Sequence, residues 1–268
     1  VAWGIFMLVI LLGSGYGLEN GVKKEFEGDA VNYITINSGV TSKAYQGMKP
    51  GRRIQFKNED HDMLKDMENV DHSSTRTAIF GSNLLSYKNE YGTFDIFAIT
   101  PEYKYVESLN MIDGRFLNKN DIDEYRKVVA LGRLVYEALF KGEKSAVNEY
   151  VKVNGVPFKV IGVFNDPGSD RDLNRVYIPI STAQRVFNMG DFIRSVHFNL
   201  EGGSVEESLQ VIEEAKSKLS AKHKFDPEDR RAIFIFNSIE NYQQFMNQLL
   251  MILWERGVFQ GLKKANIH

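Results

Sequence analysis

Five histidines, His61, His72, His197, His223 and His268, are the residues best suited to metal binding or acid–base chemistry. A helical zinc site needs two of them at H-x₃-H spacing or in an HExxH motif, and no pair has that spacing. His61 and His72 lie near acidic residues and read as solvated surface histidines. The stretch DPGSDRD, with Asp166, Asp170 and Asp172, has the composition of a calcium loop. It lacks the ligand spacing that ends in a bidentate Glu, so it reads as a polar hairpin loop. The acidic run at residues 58–62 is accounted for by a helix start. With no cysteine in the chain, thiolate nucleophiles, thiolate metal sites and disulfides are excluded. Neither a G-x-S-x-G elbow nor a P-loop is present, which leaves nucleophilic serine chemistry and ATP binding unsupported. No catalytic, cofactor-binding or metal-ligating residue is assigned.

The other candidate for chemistry is the opening VAWGIFMLVILLGSGYGLENGVKKEF. A strand running into glycines suggests a dinucleotide-binding turn, and Gly13 and Gly15 fit the G-x-G-x-x-G pattern. The third glycine is replaced by Leu18, and no carboxylate follows at residues 33–37. A signal peptide would need a basic leading region, which is missing. Leu18, Val22 and Phe26 continue past Glu19 and Lys23 at helical spacing, on one face. The stretch therefore reads as a transmembrane helix cut near its start, whose small residues Gly13, Ser14, Gly15 and Gly17 allow close helix packing. It leaves the membrane as an amphipathic stem. A buried core helix is the plainer alternative.

The 268 residues, 43% apolar and 25% charged, suffice for one large or two small domains. A net charge of −2 with intermixed signs gives no footprint for nucleic acid. The pattern predicts strands at residues 31–37 and 70–80 around a helix that Asn58 caps and that runs to about 68. A second strand–helix–strand unit is predicted at residues 192–236. Its helix is capped by Ser204, with Glu206 and Glu207 in the first turn and lysines towards the end, as the helix dipole favours. Residues 81–191 read as short strands and turns. They include a hairpin that turns at 88–91 with its second strand at 93–99, a buried strand at 127–131, and a helix at 133–140. Asn154-Gly155 marks a further hairpin, and 176–179 a strand. Ser238 is expected to cap a helix whose apolar content rises towards Trp254, heading for a membrane. Glu255, Arg256, Lys263 and Lys264 forbid a continued span.

Several motifs resemble one family. The stretch IDGRFLNKNDIDEYRKVVALGRLVYEALF, then VNGVPFKVIGVF and VYIPISTAQRVF, follow in that family's order. WGIFMLVILLGSGYGLENGV is similar to its first membrane helix and stem, and TSKAYQGMKPGRRIQF looks like the Bacteroidetes-type branch. The chain resembles the periplasmic core domain of MacB-type ABC transporter permeases, a group that includes lipoprotein-releasing permeases and the cell-division permease FtsX. The resemblance implies an α+β fold, with an α/β porter-like subdomain interrupted by a β-rich one and flanked by helical stems leading to the membrane. Expected boundaries are 1–30 for the first transmembrane helix and stem, 31–80 with 192–236 for the porter-like part, and 81–191 for the insertion. Residues 237–254 form the second stem, and 255–268 an atypical tail of appended or altered sequence. The implied role is mechanical, not enzymatic, with no cofactor. ATP-driven motion would cross the inner membrane to a periplasmic partner, for efflux or lipoprotein release. Implied partners are a second permease copy, as homodimer or related heterodimer, a cytoplasmic ATPase domain or subunit, a periplasmic adaptor with an outer-membrane channel, and the bilayer. The folded part would lie in the periplasm. The competing classes are a membrane-anchored extracytoplasmic enzyme or a binding module.

Overall fold

The computed structural model describes residues 32–255 apart from 108, 142–144 and 167–171. The expected first span, the stem at Leu18, Val22 and Phe26, and the tail beyond 255 lie outside the described residues. Among those described, no helix is long and apolar enough to cross a membrane.

The chain forms β1 (Tyr33–Ser38), β2 (Phe56–Lys57), α1 (Asn58–Leu64), β3 (Val70–Ala78), β4 (Leu84–Tyr87), β5 (Glu90–Thr93) and β6 (Asp95–Ile99). A 3₁₀ turn at Pro101–Tyr105 leads to β7 (Asn110–Gly114), α2 (Lys119–Asp123), β8 (Val128–Gly132), α3 (Arg133–Phe140), β9 (Tyr150–Val153) and β10 (Val156–Asn165). Then follow β11 (Arg175–Pro179), α4 (Ile180–Val186), β12 (Phe192–Ile193), β13 (Ser195–Leu200), α5 (Val205–His223), β14 (Ile233–Asn237) and α6 (Ser238–Glu255).

Twelve strands share one mixed sheet in the order β14-β1-β13-β3-β6-β11-β8-β10-β9-β4-β5, with β7 also paired to β10. The expected strands at the two ends of the chain meet here, since β1 lies between β13 and β14. The β3–β6 and β6–β11 pairings carry the sheet on into the hairpin-rich region. Side chains on a strand alternate between faces, and this builds two cores. Val129, Leu131, Val160, Val163, Val176 and Ile178 join the larger one. Their neighbours Val128, Ala130, Ile161, Phe164 and Tyr177 join a smaller one under the 3₁₀ turn, with Tyr103.

Local chemistry explains the differences from expectation. Asn58 does not cap α1. It is the first helical residue, and its amide exchanges hydrogen bonds of 3.1 and 2.9 Å with Gln184. The Asp60 carboxylate takes up the Lys57 backbone N–H at 2.7 Å instead, and the helix stops at Leu64. The expected strand at 93–99 is two strands. Glu90–Thr93 closes the hairpin with β4, while Asp95–Ile99 crosses to pair with β3 and β11. The expected alternation at 192–200 becomes complete burial along β13, because a central strand is covered on both faces. Its polar residues are accommodated by hydrogen bonds, as at Asn199, whose amide donates to the Tyr105 carbonyl at 3.0 Å.

Candidate functional site: joined strand ends and a distal groove

The chain enters the sheet at Tyr33 and leaves it at Asn237, on adjacent strands. At this point a serine hydroxyl does two jobs. Ser238 Oγ accepts the Tyr33 N–H at 2.9 Å and donates to the Tyr33 carbonyl at 2.6 Å. Ser238 therefore does not cap α6 as expected. Asn237 Oδ1 accepts the Glu240 N–H at 3.3 Å, and its amide donates to Ser208 Oγ on α5 at 2.7 Å. Ile239 is buried in the core, and the rings of Tyr33 and Phe236 lie 5.8 Å apart. The two connections out of the sheet thus share one small knot of hydrogen bonds and packed side chains.

At the far ends of the same strands lies a groove of ≈ 1000 Å³. A six-residue strand such as β1 spans about 20 Å, which separates this groove from the Ser238 knot. Its charged lining comprises Arg53, Lys57, Asp191, Arg194 and Arg231, and its exposed aromatic rings are Phe80 and Phe234. Gly39 keeps the wall thin. A Cβ there would stand 2.2 Å from the Arg231 carbonyl oxygen and 2.9 Å from the Phe234 ring.

Asp229 anchors this end. Its carboxylate accepts the Ser42 N–H and hydroxyl, both at 2.6 Å, the Lys43 N–H at 3.0 Å and the Arg231 N–H at 3.1 Å. Desolvation acts to raise the carboxyl's pKa. The four hydrogen bonds outweigh it and bring the group down to about 2. The unfolded carboxyl titrates near ~3.9, so the stabilisation is complete above that value and is lost as pH falls through about 2. Discounted for solvent screening, it is worth about 1–2 kcal/mol. An Asp229→Asn variant is expected to lose that much at neutral pH, and its stability should fall less between pH 4 and pH 2 than the parent's. Urea unfolding across a pH series checks both; parallel pH curves would contradict the assignment.

The histidines do other work. His197 is buried, with Nδ1 2.8 Å from Thr35 Oγ1 and Nε2 2.8 Å from Ser195 Oγ. Burial, with Arg76 and His61 nearby, holds its pKa well below the usual value, so the ring stays neutral. A serine and a histidine meet here, but both are buried and both ring nitrogens face hydroxyls, so among the described residues no carboxylate orients the ring; it bridges β1 and β13. His61 and His72 are not freely solvated as expected. Both are half-buried: His61 Nε2 lies 3.0 Å from Ser73 Oγ, and the His72 ring packs on Tyr105 at 3.8 Å. His223 lies 2.9 Å from the buried Asp60, which also pairs with Lys222 at 2.9 Å, tying α1 to α5. Among the described residues, no three His, Asp or Glu side chains converge in a way that could hold a metal ion.

The family model of the MacB-like periplasmic core domain matches residues 1–215. The chain belongs to that family. Among its curated relatives, the macrolide export ATP-binding/permease protein MacB of Bdellovibrio bacteriovorus is 25% identical over 257 residues, covering 91% of this chain and 37% of that protein. The MacB of Wolinella succinogenes is 26% identical over 260 residues, covering 93% and 38%. The chain thus spans less than two-fifths of the length of these relatives. In fold, the MacB-like core domain matches the crystal structure of the periplasmic region of MacB from Actinobacillus actinomycetemcomitans. That match has a TM-score of 0.65 and 24% identity, over 83% of this chain and 96% of the other. The extracellular domain of the noncanonic ABC-type transporter YknZ from Gram-positive bacteria matches with a TM-score of 0.63 and 23% identity, over 77% and 100%. The α+β class expected from the motifs is therefore the family's fold.

Sequence reasoning found the MacB-like motifs and missed the groove. Arg53, Arg194, Arg231 and Phe80 come from four separate segments, and no spacing rule links them. Phe80, just beyond the end of β3, and Phe234 near the start of β14 are large apolar residues left exposed at strand ends, and the sequence alone reads both as core.

Proposed function

We propose that the chain is the extracytoplasmic domain of an ABC transporter permease and passes ATP-driven motion from the membrane to a partner beyond it. The observation that carries this reading is the Ser238–Tyr33 knot. Both connections out of the sheet are fastened side by side, so a displacement of either one pulls on the neighbouring strands β1 and β14. A twelve-stranded sheet cannot deform softly along its strands, and such a pull reaches its distal end as a rigid shift. Residues 31–80 with 192–236 act as the driven lobe, and 81–191 as the lobe carried with it. In this reading the ATPase is a cytoplasmic domain or subunit, the permease works as a pair of copies, and the folded part lies in the periplasm. An adaptor with an outer-membrane channel, or a lipoprotein to be released, is the receiver. Relatives named as macrolide exporters support the efflux form.

The test uses the full-length permease, in which this chain supplies no cysteine of its own. Paired cysteines at Val22 and Tyr242, and at neighbouring positions one helical turn away, are expected to form disulfides. The yield should change when the ATPase is trapped with nucleotide. If no pair across the two stems crosslinks in any nucleotide state, motion does not travel through coupled stems and the reading is wrong.

A further inference from the structure

We infer that the distal groove docks an extended segment of a partner protein that carries carboxylates beside one or two apolar side chains. The inference rests on the chain being an outward-facing transporter domain and names what that domain's far end receives. Among the described residues, four cations and one carboxylate line the groove, a local excess of three positive charges on a chain whose net charge is −2. Lys57 meets Asp191 at 3.3 Å. Arg53, Arg194 and Arg231 meet no carboxylate among the described residues, and Arg194 has only a 3.5 Å contact with Ser38 Oγ for its guanidinium. Elsewhere five arginines meet carboxylates: Arg76 and Arg175 share Glu107, Arg115 and Arg126 share Asp121, and Arg133 pairs with Glu137. Arg52 donates instead to the His223 and Lys224 carbonyls, and Arg185 lies over the Tyr125 ring. Three unmatched guanidiniums in one concavity are an electrostatic half waiting for its complement, and guanidinium forks bind carboxylates with two parallel hydrogen bonds.

The aromatic rings select a peptide over a simple anion. Phe80 is 76% exposed and Phe234 52%, both on the groove lining. An inorganic anion would leave these faces in water, whereas an apolar side chain would cover them. The volume, ≈ 1000 Å³, stands at the top of the range for small-molecule clefts and suits a short stretch of chain. The walls are built in advance by the Gly39 close approach and the Asp229 anchor, so little ordering is needed on binding. A lipid headgroup is disfavoured by position, since the groove lies at the opposite end of β1 and β14 from the connections that lead to the membrane. A second copy of this chain is disfavoured by sign, since a two-fold contact sets a patch against itself and here would bring like charges together.

The experiment uses the full-length permease in nanodiscs and a fluorescein-labelled hexapeptide, Glu-Asp-Leu-Phe-Asp-Glu, read by anisotropy. Saturable binding is expected, weakening with added salt. Affinity should fall at least tenfold when the four acids are replaced by Gln and Asn. It should fall as far in an Arg194→Glu, Arg231→Glu double variant, and again in an independent Phe80→Ser, Arg53→Glu variant. These side chains are exposed, so unchanged melting temperatures are the control for folding. Absence of saturable binding, or binding indifferent to both variants, would overturn the inference. Displacement of the peptide by inorganic phosphate, or by phosphatidylglycerol vesicles, would show an anion or lipid site and overturn it too. So would a groove-dependent association of permease pairs that excludes the peptide. Loss of docking with the Val22–Tyr242 crosslink preserved would remove this inference alone and leave the stem coupling standing.

Discussion

Replacing Glu107 with alanine is expected to destabilise the fold by about 3–5 kcal/mol, because it removes the carboxylate that two guanidiniums share in a largely buried site. Arg175 lies 3.2 Å and Arg76 3.6 Å from the Glu107 carboxylate, which also accepts a short hydrogen bond from the Tyr103 hydroxyl. The side chains of Glu107 and Arg175 are each only 15% exposed. Both guanidiniums lie over the Phe97 ring, Arg76 at 5.1 Å and Arg175 at 5.6 Å, and Arg76 donates to Tyr103 Oη at 2.7 Å. Without the carboxylate that holds them together, two like charges still share one aromatic face. Burial, with the Glu107 carboxylate beside it, pushes the Tyr103 hydroxyl well above its usual pKa, so the phenol is a neutral donor in the cluster. The cluster joins β3, β6 and β11, where strands from the two ends of the chain meet those of the region between them. Its loss therefore loosens the joint of the sheet. At about 2–4 °C per kcal/mol for a protein of this size class, the melting temperature should fall by roughly 6–20 °C. Glu107→Gln keeps an acceptor for Tyr103 and should cost less. An exposed comparison, Lys119→Ala, breaks its pair with Asp123 and should cost within about 1 kcal/mol. A loss at Glu107→Ala no larger than at Lys119→Ala would show that the cluster does not hold the sheet together.

Local signals were legible where one physical rule acts over a few residues. Ser204 caps α5 through Glu207 N–H at 3.1 Å, and Glu207 returns the contact to the Ser204 N–H at 3.3 Å. Asn154 and Gly155 adopt φ of 46° and 86°, the left-handed pair a tight hairpin needs. The helix expected at 133–140 has those bounds, closed by Lys141 at φ 57°. What escaped was decided by distant partners. Whether Ser238 caps a helix or holds Tyr33 depends on β1 lying beside β14, which no short window contains. The split of 93–99 into two strands depends on β6 finding β3 and β11. The groove depends on a glycine, an aspartate and three arginines that only the finished sheet brings together.

The motifs that revealed the family have a physical cause, and it can be broken. IDGRF and VIGVF meet in space: Gly114 on β7 is the register partner of Gly162 on β10. Gly114 sits at φ +70°, and a Cβ there would stand 2.2 Å from the Ile161 carbonyl oxygen, 2.8 Å from Val147 Cγ2 and 3.0 Å from Gly162 Cα. The same carbonyl accepts the Arg115 N–H at 2.9 Å, so it cannot swing away freely. Arg115 then grips Asp121 with two hydrogen bonds, 2.6 and 2.9 Å, while at the start of α2 the Asp121 carboxylate accepts the Asn118 N–H at 3.0 Å and Asn118 Oδ1 accepts the Asp121 N–H at 3.1 Å. Gly114→Ala is expected to add about 1–2 kcal/mol of left-handed backbone strain and about 1–3 kcal/mol of overlap with an immobile backbone. The total loss is roughly 2–5 kcal/mol. Gly162→Ala meets the other side of the contact, 2.4 Å from the Arg115 carbonyl oxygen and 2.5 Å from Met111 Cε. Once β7 has been forced away by either substitution, the second has less to collide with. The double variant should therefore lose less than the sum of the two singles, as coupled neighbours do. Denaturant unfolding of the parent and the three variants measures the cycle. A Gly114→Ala protein as stable as the parent, or a strictly additive pair, would mean that the two motifs do not hold each other in this way.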